Sequence, residues 1–154
     1  MSKVEIIPDL WLGNDQSAMG NTDNNFLYIN CSNDLNFLGR AKEYNIEIKN
    51  NLEKYEILKM YQYLNETVEF IYKNLINFKP ILVHCESGTQ KSASVVAAYL
   101  IKYGKMTIEQ AIKLIRTKKN DCFFPNVDYF YSLEKYYKNL WFFSKDKNLW
   151  FFSN

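Results

Sequence analysis

Three apolar residues, Ile81-Leu82-Val83, run directly into HCESGTQKS (His84 to Ser92), and that stretch runs directly into ASVVAAYLI, a segment without charge. The apolar run after Pro80 reads as a buried strand. The small and β-branched residues from Ser92 to Tyr103, stopped by Gly104, read as a helix. A loop that enters a helix N-terminus turns several backbone N–H groups toward one point, with the helix dipole behind them, and this makes an anion site. The amides of Glu86, Ser87, Gly88, Thr89, Gln90 and Lys91 are the candidate phosphate donors, and Gly88 permits a turn that a side chain would obstruct. The same field is expected to lower the pKa of Cys85, and His84, the chain's one histidine, to help through a hydrogen bond. Such a thiolate is a nucleophile toward phosphorus. Ser92 stands where it could donate a hydrogen bond to the sulfur as it leaves.

The rest of the chain supplies strands and helices in alternation. Val4 to Ile7, followed by Pro8, reads as an edge strand, and Leu10-Trp11-Leu12 as a second strand closed by Gly13-Asn14. Asp15 is expected to cap a short helical segment, DQSAMG. Asn21 to Asn25 reads as a polar loop, Phe26 to Cys31 as a central strand, Leu35 to Tyr44 as a short helix and Asn45 to Ile48 as another strand. Leu64, Val68, Ile71 and Leu75 recur at helical spacing within a mostly helical stretch from Leu52 to Phe78. Thr107-Ile108-Glu109-Gln110 is a capping-box pattern that opens a helix through about Lys118. A last helix is expected from about Asn126, with Val127, Phe130, Leu133 and Tyr137 on one face. The sum is a single α/β domain with a mixed, largely parallel sheet between helices. The quoted loop then falls at the C-terminal end of a strand, where ligands bind in such sheets.

Composition narrows the class. With 154 residues, 47% of them apolar, the chain can bury one full core. Its formal net charge of +2 does not argue for nucleic acid, and no apolar run is long enough to span a membrane. The N-terminus has acids and a proline where a signal peptide needs its apolar stretch. Three widely spaced cysteines, Cys31, Cys85 and Cys122, argue against a disulfide framework and for a reducing compartment, cytoplasmic or nuclear. They lack the paired spacing of a metal site, so neither metal nor cofactor is expected.

At these residues the chain resembles the dual-specificity protein phosphatases, a small branch of the cysteine-dependent phosphatases whose loop reads HCxxGxxRS. LWLGN is similar to the family's early strand and turn, and SASVVAAYLIKYGKMTIEQAIKLIRTKKN to its post-loop helix and the next one. Pro125-Asn126, followed by Phe130, resembles the segment that packs beneath the site. A rhodanese-like domain fits the flanking helices much less well. The resemblance implies a phosphorylated protein or peptide as partner, in a shallow pocket open to phosphotyrosine and phosphoserine/threonine. Two residues depart from the pattern. Lys91 stands where the family has an arginine that binds two phosphate oxygens with a planar fork; lysine keeps the charge but not the fork. Asn50 stands where the family has an aspartate, and an amide cannot protonate a leaving oxygen. A slip in the alignment would make Glu53 or Glu56 the acid instead.

Residues 1–140 are expected to form this domain and residues 141–154 an aromatic tail, in which KNLWFFS begins at Lys138 and again at Lys147. Such a patch suits a protein partner, self-association or a membrane surface, and a duplication tolerated at a terminus explains it equally. Three functions stay open: a pseudophosphatase that binds phosphoprotein, a working phosphatase with Cys85 as nucleophile and Lys91 as an imperfect clamp, and an interaction module that acts through the tail.

Overall fold

The computed structural model of the chain describes residues 3–32 and 43–147, the last six of these by backbone alone. Strands β1 (Val4–Ile7), β2 (Leu10–Asn14), β3 (Leu27–Asn30), β4 (Glu43–Asn45) and β5 (Ile81–Cys85) form one sheet in the order β1-β2-β5-β3-β4. Only the β1–β2 pair is antiparallel among them; β2–β5, β5–β3 and β3–β4 run parallel. All five residues of β5 are buried, as a central parallel strand requires.

Helix α3 (Lys91–Lys102) follows β5 and is buried from Lys91 through Ile101. Ala93, Ser94, Ala97 and Ala98 keep it slim enough to sit between the sheet and helices α2 (Lys54–Leu75), α4 (Ile108–Lys118) and α5 (Phe130–Lys147). Gly104 follows its last turn, where a side chain has no room: a Cβ there would lie 2.5 Å from the Leu100 carbonyl oxygen. On α2, Leu64, Val68 and Ile71 are fully buried, with Leu75 packed at the edge of the core. The capping box of α4 forms: Thr107 Oγ1 accepts the Gln110 N–H at 3.1 Å, and Gln110 Oε1 accepts the Thr107 N–H at 2.9 Å. A smaller core lies under helix α1 (Asp15–Met19), where Ala18 meets Phe26, Tyr28 and Leu82. No helix among the described residues is long and apolar enough to cross a membrane.

Four expectations need correction. Asn14, not Asp15, caps α1, its Oδ1 accepting the Ser17 N–H at 2.9 Å; Asp15 is the first helical residue. The strand expected over Asn45–Ile48 lies at Glu43–Asn45. Ile46 and Ile48 are fully buried, so their period-2 pattern did mark a core face, but the backbone beyond them is taken by side chains. The Ile48 carbonyl accepts from Lys91 Nζ, and the Lys49 N–H donates to Glu56 Oε1. Of the helix expected over Leu35–Tyr44, Glu43 and Tyr44 belong to β4, and 35–42 falls outside the described residues. The last helix starts at Phe130, not Asn126, because the Gln90 side chain holds the Asn126 carbonyl at 2.8 Å and the Asp128 N–H at 3.0 Å. Its buried face is therefore Leu133 and Tyr136, preceded by Tyr129, and Phe130 is 42% exposed.

Where α2 meets the end of α3, Tyr72 stacks on Tyr103 with ring centroids 4.0 Å apart. Glu69 accepts from the Tyr103 hydroxyl at 2.7 Å and from Lys102 Nζ at 2.6 Å. Burial alone would raise the Glu69 carboxyl, but the hydrogen bonds from Lys102 and Tyr103 outweigh it and hold the group below the usual carboxylate value. A carboxyl depressed by folding contributes stability above its unfolded pKa and loses it as pH falls through its folded one. Glu69→Gln is thus expected to cost under about 1 kcal/mol near neutrality, since the pair is partly exposed. The difference from wild type should vanish in acid, as urea titration at a series of pH values would show.

Candidate active site

The pleat of β5 sends His84 and Cys85 to opposite faces. His84 is fully buried and pairs through Nδ1 with Asp15 Oδ1 at 2.8 Å, its ring edge-on to Tyr28. Its bond goes to α1, not to the Cys85 sulfur. It ties the small helix to the central strand just ahead of the loop. Cys85 is 2% exposed, with its Sγ 3.1 Å from Ser92 Oγ and accepting the Ser92 N–H at 3.5 Å. Ser92 thus stands where the sequence placed it, in the first turn of α3 and against the sulfur.

Between them, Gly88 takes φ +72, and a Cβ there would lie 2.7 Å from the Gly13 carbonyl group. A side chain is excluded twice, by conformation and by the β2 backbone. The loop is backed from below. The Phe123 N–H donates to the Thr89 carbonyl at 3.0 Å, and Cys122 Sγ lies 3.7 Å from the Gly88 carbonyl. Ser87 Oγ and Thr89 Oγ1 meet at 2.7 Å on the outer side. In front of the loop is a cavity of about 280 Å³ lined by Cys85, Glu86, Ser87, Gln90 and Lys91, together with Asn50, Asp128 and Tyr129. Gly88 and Thr89 do not line it; they shape the loop behind.

The two departures from the expected pattern meet in this cavity. Lys91 is only 4% exposed, and its Nζ donates to the Ile48 carbonyl at 2.8 Å while the Glu86 carboxylate lies 3.3 Å away. Asn50 Nδ2 donates to the same carboxylate at 2.9 Å. Glu86, expected to contribute a backbone amide, therefore also joins Lys91 to Asn50 through its side chain. Neither alternative acid reaches the cavity wall. Glu53 precedes α2 on the surface, and Glu56 is buried with Oε1 on the Lys49 N–H at 2.8 Å.

Asp128 is the residue that sequence reasoning missed. It lines the same cavity as Glu86, on the segment gripped by Gln90, and burial pushes its carboxyl above the usual value. No spacing rule connects it to Cys85; the signal available was its place just after Pro125-Asn126. The other cysteines behave as packing residues. Both are fully buried, and burial, with Cys85 adding to it, raises the Cys31 thiol well above its ordinary value and the Cys122 thiol to about 12. Among the described residues no three His, Cys, Asp or Glu side chains gather where they could hold a metal ion. The first KNLWFFS copy lies within α5, with Leu140 against the core and Trp141 42% exposed; 148–154, most of the second copy, falls outside the described residues.

Known proteins resemble the chain over nearly its full length. The model of the dual specificity phosphatase catalytic domain matches residues 10–139. A protein of Invertebrate iridescent virus 6 named "Putative tyrosine phosphatase 123R" is 26% identical over 137 residues, covering 88% of this chain and 92% of that one. Dual specificity protein phosphatase 8 of Mus musculus is 26% identical over 144 residues, covering 89% of this chain but 21% of the mouse protein. The crystal structure of human DUSP28 superposes with a TM-score of 0.78 at 19% identity, over 92% of this chain and 96% of that one, a likeness of fold. By its catalytic-domain match, the chain belongs to the dual specificity phosphatase family.

Proposed function

We propose that the chain is a catalytically impaired dual specificity phosphatase, which binds phosphorylated protein through the Cys85 loop and turns it over poorly. The observation that carries this reading is the position of the Lys91 ammonium, engaged by the Ile48 carbonyl and the Glu86 carboxylate. A lysine offers a point charge on a flexible stem, whereas a guanidinium fork holds two phosphate oxygens and follows them through the transition state. Asn50, where the resemblance puts the acid, gives its amide to Glu86 and has no proton to offer a leaving oxygen. What supports ground-state binding is the turn at Gly88, the contact of Ser92 with the Cys85 sulfur, and the helix N-terminus behind both. Phenolic leaving groups need less protonation than alkyl ones, so the residual activity favours phosphotyrosine. A reducing compartment, cytoplasm or nucleus, suits a pocket whose Cys85 is a free thiol. A protein partner or a second copy of the chain on the aromatic tail is a separate reading, supported by the exposure of Trp141.

Asp128 favours a second reading, a working phosphatase. A carboxyl raised by burial stays protonated further up the pH scale, so it keeps a proton for the departing oxygen over a wider range than an ordinary aspartate.

Steady-state kinetics test both readings. Wild type is expected to hydrolyse p-nitrophenyl phosphate near the background rate and Cys85→Ser to lose what remains. Lys91→Arg should gain about 100-fold, and adding Asn50→Asp should extend the gain to phosphoserine peptides. Robust wild-type turnover abolished by Cys85→Ser would contradict the impaired reading. If Asp128 is the acid, Asp128→Asn lowers alkyl phosphate turnover by about 100-fold. It also removes the fall in rate as pH rises past the Asp128 pKa, and leaves good aryl leaving groups nearly unaffected. Because a carboxyl raised by burial weakens the fold once ionised, the same variant is expected to keep or raise Tm at pH 7; a lower Tm would mark a structural role.

A further inference from the structure

Most residues that line the Cys85 cavity are polar or charged; Leu52 and Tyr129 supply its large carbon surfaces. Tyr129 is 1% exposed and belongs to the main core. Leu52 is 43% exposed and, among the described residues, is part of neither hydrophobic core. It therefore lines the cavity where the cavity opens to solvent. Its backbone lies in the left-handed region, with φ 55, which L side chains rarely adopt. The Asn51 side chain closes the turn around it, Oδ1 accepting the Glu53 N–H at 3.0 Å. Glycine or asparagine would take this turn with less strain, and core packing does not account for a leucine in it. What the leucine does supply is an apolar flank to the cavity, two residues after Asn50.

We infer that Leu52 is a specificity-determining residue: it packs against the ring of phosphotyrosine and makes the pocket bind aryl phosphates in preference to alkyl ones. A phosphate seated over the nearly buried Cys85 sends its ester oxygen outward, past Leu52. In phosphotyrosine that oxygen carries a ring, which buries apolar surface against the leucine. In phosphoserine it carries one methylene and then the peptide backbone, which leaves Leu52 in water. The preference is one of ground-state affinity and owes nothing to protonation of the leaving group, which separates it from the bias in turnover argued above. This inference rests on the phosphate-pocket reading and adds the residue that selects among its ligands.

Calorimetric titration of wild type, Leu52→Asn and Leu52→Met tests it. The probes are orthophosphate and two peptides of otherwise identical sequence, one with a phosphotyrosine analogue and one with a phosphoserine analogue. In both a methylene replaces the ester oxygen, so neither is cleaved. Asparagine tolerates the left-handed region and removes the apolar flank, whereas methionine keeps the flank. Wild type is expected to bind the aryl peptide about tenfold tighter than the alkyl one. Leu52→Asn should lose about fivefold on the aryl peptide and leave orthophosphate and the alkyl peptide within about twofold of wild type. It should also keep or raise Tm, since it relieves the strained turn. Leu52→Met should retain the aryl preference. No preference in wild type, an unchanged preference in Leu52→Asn, or an equal loss on all three probes overturns the role of Leu52; orthophosphate binding to wild type then leaves the pocket reading standing. Absence of binding by every probe to wild type overturns the pocket reading and this inference together.

Discussion

A helix buried on every side must begin inside the protein, and its first amides begin there without intrahelical partners. That is the constraint on which the site depends. Helix α3 starts at Lys91, at the end of the fully buried strand β5, with slim residues that let the sheet and three helices close around it. The chain must pass from strand to helix in five residues, which it does through the left-handed turn at the buried Gly88, pressed against the β2 backbone. The start of α3 and the Cys85 sulfur then meet at one cavity. The proposed anion site follows from how the core is packed, and the side chains around it decide what such a site would do with an anion.

Those side chains differ from the family pattern in a connected way. A buried lysine needs partners, because an unpaired charge at 4% exposure would be costly. Lys91 finds them in the Ile48 carbonyl and Glu86. Glu86 in turn takes the amide of Asn50. The arrangement pairs these groups without a ligand, and the proposed impairment follows from it: the charge that would follow a phosphoryl group is already engaged.

Much of this was legible in the residues. The strand, loop and α3 were marked by an apolar run, one glycine and an uncharged helix, all local signals. The α4 capping box was equally local and formed as read. The errors came where tertiary contacts overrode local pattern. Ile46 and Ile48 alternate as a strand would and are buried, yet Lys91 and Glu56 take the backbone bonds that would extend the ladder. The start of α5 is delayed by Gln90, which lies far back in sequence and whose amide claims Asn126 and Asp128. For the same reason Asp128 escaped notice: nothing near it in the chain announces that it shares a cavity with Cys85. Glu86 was read for its amide alone, since no sequence rule says where a carboxylate on a loop will turn.

The central claim is that the loop still binds phosphate while the Lys91–Glu86–Asn50 cluster stands against its use. A crystal structure of the protein soaked in tungstate tests it directly. The account predicts a tungstate ion over Cys85, held by the loop amides, with Lys91 Nζ turned to the ion and Glu86 released toward the rim. Lys91 still seated on Ile48 and Glu86, with no tungstate in the loop at saturating concentration, would contradict it.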